Sequence, residues 1–238
     1  MRPAVSGYRP LGSDTIWPWM LLATSFAILI VSVAYVGTNA VDADGWVHFW
    51  GFRPDQVGQA LARPLETDAW VVLGGLLTSL FLHADWIHLI GNLAYLWVFG
   101  ISVEKAVGHW RFLVLFAGLG FLANAATAWH LEGAQNVVVI GASGGVSAII
   151  GVYLGLFPSR RIGLWLPLGL FLQFARVPAI LVIGSWFILQ LLYSAFGPEA
   201  HAVAWSAHLS GFGLGLLAAL VLRLFPAGLN LRYRGESG

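Results

Sequence analysis

The stretch Gly141-Ala142-Ser143-Gly144-Gly145 places a serine at the start of an apolar segment, between residues too small to shield its hydroxyl. Two other stretches also carry polar side chains into apolar segments, His88-Leu89-Ile90-Gly91-Asn92 and His208-Leu209-Ser210-Gly211. A polar group buried in apolar surroundings costs free energy unless it gains a partner. We therefore expect these side chains to serve catalysis.

The composition indicates a membrane protein. Hydrophobic residues make up 58% of the 238 residues and charged residues only 10%, against about 25% charged in typical soluble domains. The twelve tryptophans agree with this, because indole rings favour the membrane–water interface. The chain has no cysteine, which excludes disulfides, thiolate nucleophiles and thiolate-ligated metals. No basic-aromatic patch points to nucleic acid as a partner.

Apolar segments predict six membrane-spanning helices, because about 20 apolar residues cross a hydrocarbon core of about 30 Å. The predicted spans are residues 16–36, 86–103, 110–129, 141–157, 178–196 and 202–224. A cleavable signal peptide is the alternative for the first span, but its apolar region would be only about 7–15 residues long. The spans therefore predict one domain over residues 16–225, with tails at 1–15 and 226–238.

The segments between the spans predict loops. Residues 38–70 mix acidic, glycine and proline residues with aromatic ones, and we expect this long first loop to rest on the membrane surface. Residues 70–84 complete the first loop, and residues 160–176 form a further loop whose apolar middle is too short between its charges to cross.

The charge distribution predicts the orientation. Six spans put both termini on one side, and with that side in the cytoplasm only Arg53 and Arg63 among the twelve basic residues lie outside. Such an excess of basic residues inside is the usual asymmetry of membrane proteins. A short chain without extra domains is typical of bacteria. We therefore expect an integral protein of the bacterial inner membrane with both termini cytoplasmic.

The fourth predicted span brings the polar groups to a similar depth. Its 17 residues, Gly141 to Phe157, rise about 25 Å, less than a hydrocarbon core of about 30 Å, so Ser143 is expected below the outer surface. Small residues at helical spacing would let the fourth and sixth spans approach closely. These are Gly144, Ser147, Gly151, Gly155, Gly211 and Gly215. Helix packing without any catalytic role is the alternative explanation.

His88 and Asn92 are four residues apart and hence share one helix face. Their side chains are hydrogen-bond donors suited to a developing oxyanion, and a buried polar pair that links helices is the alternative. A zinc site is not favoured, because His83 and His88 would lie about 140° apart around a helix and no His-Glu-x-x-His run occurs. The sequence predicts neither a metal nor a cofactor.

Three motifs together resemble the signatures of rhomboid intramembrane serine proteases: Gly141-Ala142-Ser143-Gly144, His88-x-x-x-Asn92 and Ala207-His208-x-x-Gly211-x-x-x-Gly215. The stretch from Thr78 to Asn92 is similar over its length, and Val103-Glu104-Lys105 closes the second helix as it often does in that family. The resemblance covers residues 16–225. It implies an all-α membrane protein, a six-helix bundle with a long membrane-associated first loop.

The resemblance also implies a serine endopeptidase that cleaves transmembrane protein substrates within the lipid bilayer. Ser143 would be the nucleophile and His208 the general base of a Ser–His dyad. His88 and Asn92, together with the backbone N–H of Ser143, would form the oxyanion hole. His83 would be structural.

Two positions depart from the pattern of the family. Some members carry an aromatic residue that stacks on the base four residues after the nucleophile, where this chain has Ser147. Ser147 or Trp205 is therefore the candidate for orienting His208. A Trp-Arg pair that some members carry in the first loop cannot be placed in this sequence. The fifth span, with Trp186 or Phe187, would flank the lateral route of the substrate.

Two other classes of protein compete with this interpretation. A catalytically inactive rhomboid-like protein that binds or escorts membrane helices would be expected to lack Ser143 or His208, and both are present. A transporter or channel would be expected to show internal repeats or charged residues in mid-span. The clearest ionisable residues within the predicted spans are His88 and His208, which proteolysis already explains.

Overall fold

The computed structural model describes residues 17–36, 40–66, 68–134, 136–168, 171–196, 202–226 and 229, and this part of the chain is mostly helical. The helices are α1 (Trp19–Val36), α2 (Ala40–Trp50), α3 (Pro54–Ala62), α4 (Ala69–Thr78), α5 (Trp86–Val107), α6 (His109–His130), α7 (Ser143–Leu156), α8 (Ala179–Phe196) and α9 (Ala202–Leu224). A short 3-10 turn, Ser79–Phe81, follows α4. The predicted tails lie outside the described residues, apart from residues 226 and 229.

Within the described part of the chain, four helices are long and apolar enough to cross a membrane: Trp19–Val36, Trp86–Val107, His109–His130 and Trp205–Leu224. They coincide with the first, second, third and sixth predicted spans, which are confirmed as helices of spanning length. Helix α7 has 14 residues, and the apolar section of α8, Ala179–Leu192, is also shorter than a full span. Membrane crossing by α7 and α8 therefore stays a prediction.

A two-stranded hairpin shows that the fold is not all-α. Strands β1 (Arg161–Leu168) and β2 (Phe171–Pro178) pair antiparallel, with Leu168 opposite Phe171. The sequence predicted a loop over 160–176, and this was wrong. The stretch contains three aromatic residues and the β-branched Ile162, which favour strands, but a continuous apolar run carries no period that identifies a strand.

The first loop is more helical than the sequence predicted, since α2, α3 and α4 occupy most of residues 40–78. Helix α4 lies in the stretch expected to complete the loop. The loop is tied to the chain that precedes α7 by two backbone hydrogen bonds between Phe52 and Val139, at 3.2 and 2.9 Å. This pairing holds in place the chain segment that leads to Ser143.

Helix α5 also differs from its predicted bounds at its carboxyl end. It continues past Val103, the predicted end, to Val107 and stops at Gly108, whose φ of 87° lies in the left-handed region that favours glycine. The buried Glu104 side chain accepts hydrogen bonds from the backbone N–H groups of Met20 and Leu21, at 2.9 and 2.8 Å. The start of α1 is thereby held against the end of α5.

Helix α7 forms the centre of the fold. Eleven of its 14 residues are buried, and it packs on α5, α6 and, most extensively, α9. The glycines account for the close packing on α9: Gly211 faces the carbonyl of Gly144, and Gly215 faces the carbonyl of Ala148. The predicted close approach of these two helices through small residues is confirmed.

Candidate active site

Ser143 is the first residue of α7, and the chain reaches it through a conformation that favours glycine. Gly141 has a φ of 126°, which a right-handed helix does not allow, so the helix begins two residues after the predicted start. A Cβ atom on Gly141 would lie 2.7 Å from Cε1 of His88. The missing side chain therefore lets the His88 imidazole lie against the chain just before Ser143.

The start of α7 leaves backbone donors beside Ser143. The N–H of Ala142 is taken by Nε2 of His83, 3.2 Å away, and the N–H of Val146 donates to the Ala142 carbonyl at 2.9 Å. The N–H groups of residues 143–145 come before that first intrahelical hydrogen bond, so they have no carbonyl partner within the helix. Donors at a helix start are free to bind an anionic oxygen.

His83 holds this helix start in place. Its Nδ1 lies 3.0 Å from Oγ of Ser32 in α1, and that hydroxyl is 3.1 Å from the Phe81 carbonyl. Burial and the neighbouring His88 lower the pKa of His83 to about 3, against a smaller opposing effect of Asp85. The ring is therefore neutral, with Nδ1–H as donor and Nε2 as acceptor.

The rings of His83 and His88 are in contact, with centroids 4.9 Å apart. The 140° separation of a helical metal motif does not apply here, because His83 lies in the segment before α5, within the residues 70–84 that the sequence assigned to the first loop. Both nitrogens of His83 are nevertheless occupied, so it offers no lone pair to a metal. Among the described residues, no group of three or more His, Asp or Glu side chains could hold a metal ion.

One cavity of about 250 Å³ brings the four predicted site residues together from three helices. His88 and Asn92 line it from α5, Ser143 from α7 and His208 from α9. A second cavity of about 380 Å³, lined in part by residues 136–141, shares Ser143 and His88 with the first. Ser143 is therefore accessible from two sides.

The oxyanion candidates are fixed by hydrogen bonds of their own. Asp85 caps α5 by accepting from the backbone N–H of His88 at 2.8 Å, which sets the start of the helix. Asn92, 8% exposed, donates one amide hydrogen to the His88 carbonyl at 3.0 Å. A carboxamide has two such hydrogens, so the second can bind an oxygen in the cavity.

His208 is held by residues of α8 that the sequence analysis did not identify as its partners. Its Nδ1 lies 2.9 Å from Oε1 of Gln190, and its ring centroid is 5.8 Å from that of Trp186. Of the two predicted candidates, Ser147 lines the same cavity, whereas Trp205 packs edge-on against His130. A lone glutamine in an apolar helix was the signal that could have identified Gln190.

Asn124 is a second residue of the site that was not predicted from the sequence. It lies on α6 and lines the second cavity, where its Nδ2 donates to the carbonyl of Leu76 at 2.8 Å and to Oγ of Ser79 at 3.1 Å. These bonds tie α6 to the segment that leads to α5. A polar residue in the middle of an otherwise apolar span was again the available signal.

The described part of this chain has helices long and apolar enough to cross a membrane, and polar side chains meet in a cavity between helices. The protein is therefore an integral membrane protein. The family model described as Rhomboid domain matches residues 70–225, about two thirds of the chain. The chain belongs to the rhomboid family.

The relatives span several lineages. The chain is 36% identical over 90 residues to YdcA of Bacillus subtilis, which covers 37% of this chain and 44% of the relative. It is 28% identical to the mitochondrial rhomboid protein 1 of Saccharomyces cerevisiae, over 89% of this chain and 64% of the relative. It is 25% identical to the rhomboid protease GlpG of Yersinia enterocolitica, over 82% of this chain and 61% of the relative. The chain thus matches between 44% and 64% of the length of these relatives.

Proposed function

We propose that this protein is an intramembrane serine endopeptidase that cleaves transmembrane segments of other membrane proteins. Ser143 is the nucleophile and His208 the general base. The observation that carries the proposal is the single cavity lined by Ser143, His208, His88 and Asn92 from three helices. The similarity to GlpG, which is described as a rhomboid protease, supports it.

In the first half of the proposed reaction, Oγ of Ser143 attacks the scissile carbonyl carbon while Nε2 of His208 takes the hydroxyl proton. The carbonyl oxygen becomes an oxyanion, which the side chains of His88 and Asn92 and the backbone N–H of Ser143 bind. Preformed donors of this kind stabilise the charge that develops in the transition state. His208 then gives its proton to the leaving amine, and the peptide bond breaks.

In the second half, water replaces the amine. His208 takes a proton from the water as its oxygen attacks the acyl carbon, and the same donors bind the second oxyanion. The proton then passes from His208 to Oγ of Ser143, which leaves as the free hydroxyl. The products are a new carboxyl terminus and the restored enzyme.

The proposed substrate reaches Ser143 laterally, between α5 and α8. Trp186 of α8 supports this route, because its ring lies between the ring of Tyr95 on α5, 6.2 Å away, and that of His208. The proposal includes crossing by α7 and α8, both termini in the cytoplasm and residence in a bacterial inner membrane. With α7 only 14 residues long, about 21 Å, Ser143 lies below the outer surface.

The test is cleavage of a panel of single-spanning model substrates in proteoliposomes. The wild-type protein is expected to cut at least one substrate, whereas Ser143→Ala and His208→Ala are expected to leave it intact. The matched control is Ser185→Ala, because Ser185 is exposed on α8 and its hydroxyl donates a hydrogen bond to the Val182 carbonyl of the same helix. The control is expected to cleave at the wild-type rate.

Two results would contradict the proposal. Undiminished cleavage by Ser143→Ala would assign the hydrolysis to another group or to a contaminant. Specific binding of the substrates by a folded wild-type protein that neither cleaves them nor reacts with a serine-directed fluorophosphonate would instead favour a protein that escorts membrane helices.

A further inference from the structure

The imidazole of His208 is contacted by two residues on one face of α8. Oε1 of Gln190 lies 2.9 Å from its Nδ1, and the ring of Trp186, four positions earlier, packs beside it. The polar contact comes from a different helix than the one that carries Ser143. Both of these contacts to the imidazole of the base therefore come from α8.

We propose that Gln190 is the positioning residue of the general base. With its carbonyl oxygen as acceptor, the proton of the neutral imidazole sits on Nδ1, and Nε2 keeps the lone pair that must take the proton of Ser143. The opposite tautomer would place a hydrogen on Nε2 and prevent this step. The inference rests on the proposed serine protease function, in which Gln190 replaces the aromatic residue that Ser147 does not supply.

A glutamine suits this task inside a membrane. A carboxylate in the same place would also hold Nδ1–H, but a charge within a membrane span is expensive. Gln190 is half-buried on a helix whose flanking positions are apolar, and a polar side chain in such surroundings requires a partner. The neutral amide fixes the tautomer without introducing a charge.

The same contact ties the orientation of the base to the position of α8. This helix packs on α9 and on β2 and touches α7 only slightly, far less than α7 and α9 contact each other. A displacement of α8 by about 1 Å would lengthen the Gln190–His208 distance beyond hydrogen-bonding range. A substrate that moves α8 as it passes would therefore also change the hydrogen bond that orients His208.

The experiment compares Gln190→Leu, Gln190→Met and Gln190→Glu in the full-length protein. Loss of the acceptor in the first two is expected to lower kcat about tenfold with KM unchanged, because a hydrogen bond of this kind contributes about that factor. Labelling of Ser143 by a small fluorophosphonate is expected to slow by a similar factor. That probe does not need α8 to admit a helix, so it reports on the base and not on substrate entry.

Gln190→Glu keeps an acceptor beside Nδ1 and is expected to restore kcat at alkaline pH. Its carboxylate favours the protonated imidazole, so the acidic limb of the pH–rate profile should move to higher pH. His88 and Tyr95 are the other titratable side chains that line the cavity, and they are unchanged in every variant. Ser185→Ala, on the same helix, is expected to match the wild type in kcat, labelling and pH profile.

Two outcomes would overturn the inference while leaving the proposed function intact. One is Ser143-dependent cleavage with unchanged kcat and labelling in Gln190→Leu or Gln190→Met. The other is a change confined to KM, which would make Gln190 a substrate contact. If both apolar variants fail to fold, the pH–rate profile of Gln190→Glu tests the inference instead. A pH–rate profile identical to that of the wild type would overturn it. Cleavage that survives Ser143→Ala would remove the proposed function and this inference together.

Discussion

The backbone N–H of Ala142 donates a hydrogen bond to Nε2 of His83, at 3.2 Å. The other nitrogen of the same ring lies 3.0 Å from Oγ of Ser32. One buried imidazole, 1% exposed, therefore joins helix α1 to the turn from which Ser143 begins. It can do so only while neutral, because Nε2 must keep its lone pair.

This contact predicts that the folded protein loses stability in acid. Burial lowers the pKa of His83 from 6.5 to about 3, so between these values the unfolded chain binds a proton that the folded chain does not. The contribution of His83 is fully present above pH 6.5 and is lost as the pH falls towards 3, with a slope of up to about 1.4 kcal/mol per pH unit. Unfolding in detergent micelles at a series of pH values measures it.

The control for this prediction is His83→Gln, which has no titrating group at the site. It is expected to be less stable than the wild type at pH 7 and to show a shallower dependence on pH between 6.5 and 3. Equal slopes for the two proteins would assign the acid sensitivity to other groups.

Substitution of Gly141 is predicted to damage both stability and activity. Alanine there would be strained at a φ of 126°, and its Cβ would collide with the His88 ring. Strain of this kind costs about 1–3 kcal/mol, and displacement of His88 should lower kcat as well. Gly118→Ala on α6 is the control, since a Cβ there meets no atom within 4 Å. Equal stability and cleavage in the two variants would show that the turn before Ser143 tolerates a side chain.

The spacing between α7 and α9 is predicted to depend on Gly211. An added Cβ would meet the carbonyl of Gly144, whereas at Gly213, on the same helix, it would meet no atom within 4 Å. Gly211→Ala should therefore lower the denaturation midpoint by an amount that corresponds to about 1–3 kcal/mol and slow fluorophosphonate labelling. Gly213→Ala should do neither. A reversed order of the two effects would mean that the helices are not in contact at Gly211.

Removal of the Asn92 carboxamide is predicted to act on the transition state. Asn92→Ala should lower kcat about 100-fold or more, as loss of one oxyanion donor does in other acyl transfers. KM should change little, because the oxyanion does not exist in the ground state. Steady-state kinetics on a cleaved substrate measure both parameters. A rise in KM at constant kcat would instead indicate that Asn92 binds the substrate.

The sequence predicted the features that depend on one segment at a time. Runs of about 20 apolar residues identified α1, α5, α6 and α9, because the membrane sets the length of a spanning helix. Ser143, His88 and His208 stood out because a polar group in an apolar segment needs a partner.

Small residues at helical spacing predicted the close approach of α7 and α9, but most individual contacts between segments could not be predicted. Gln190 and His208 lie on different helices, and helical periodicity does not say which faces meet. His83 was expected in the loop before α5, but no local pattern showed that its ring reaches the backbone N–H of Ala142. The hairpin of β1 and β2 was missed because pairing, and not a local pattern, stabilises it.

The central claim is that Ser143 and His208 act as a pair, and covalent labelling tests it most directly. The detergent-solubilised protein is treated with a fluorophosphonate, and the modified residue is identified by peptide mass spectrometry in the wild type, in His208→Ala and in Ser185→Ala. We predict one adduct, on Ser143, that forms equally fast in the wild type and in Ser185→Ala and is lost in His208→Ala. An adduct on another residue, or equal labelling of Ser143 without His208, would contradict the account.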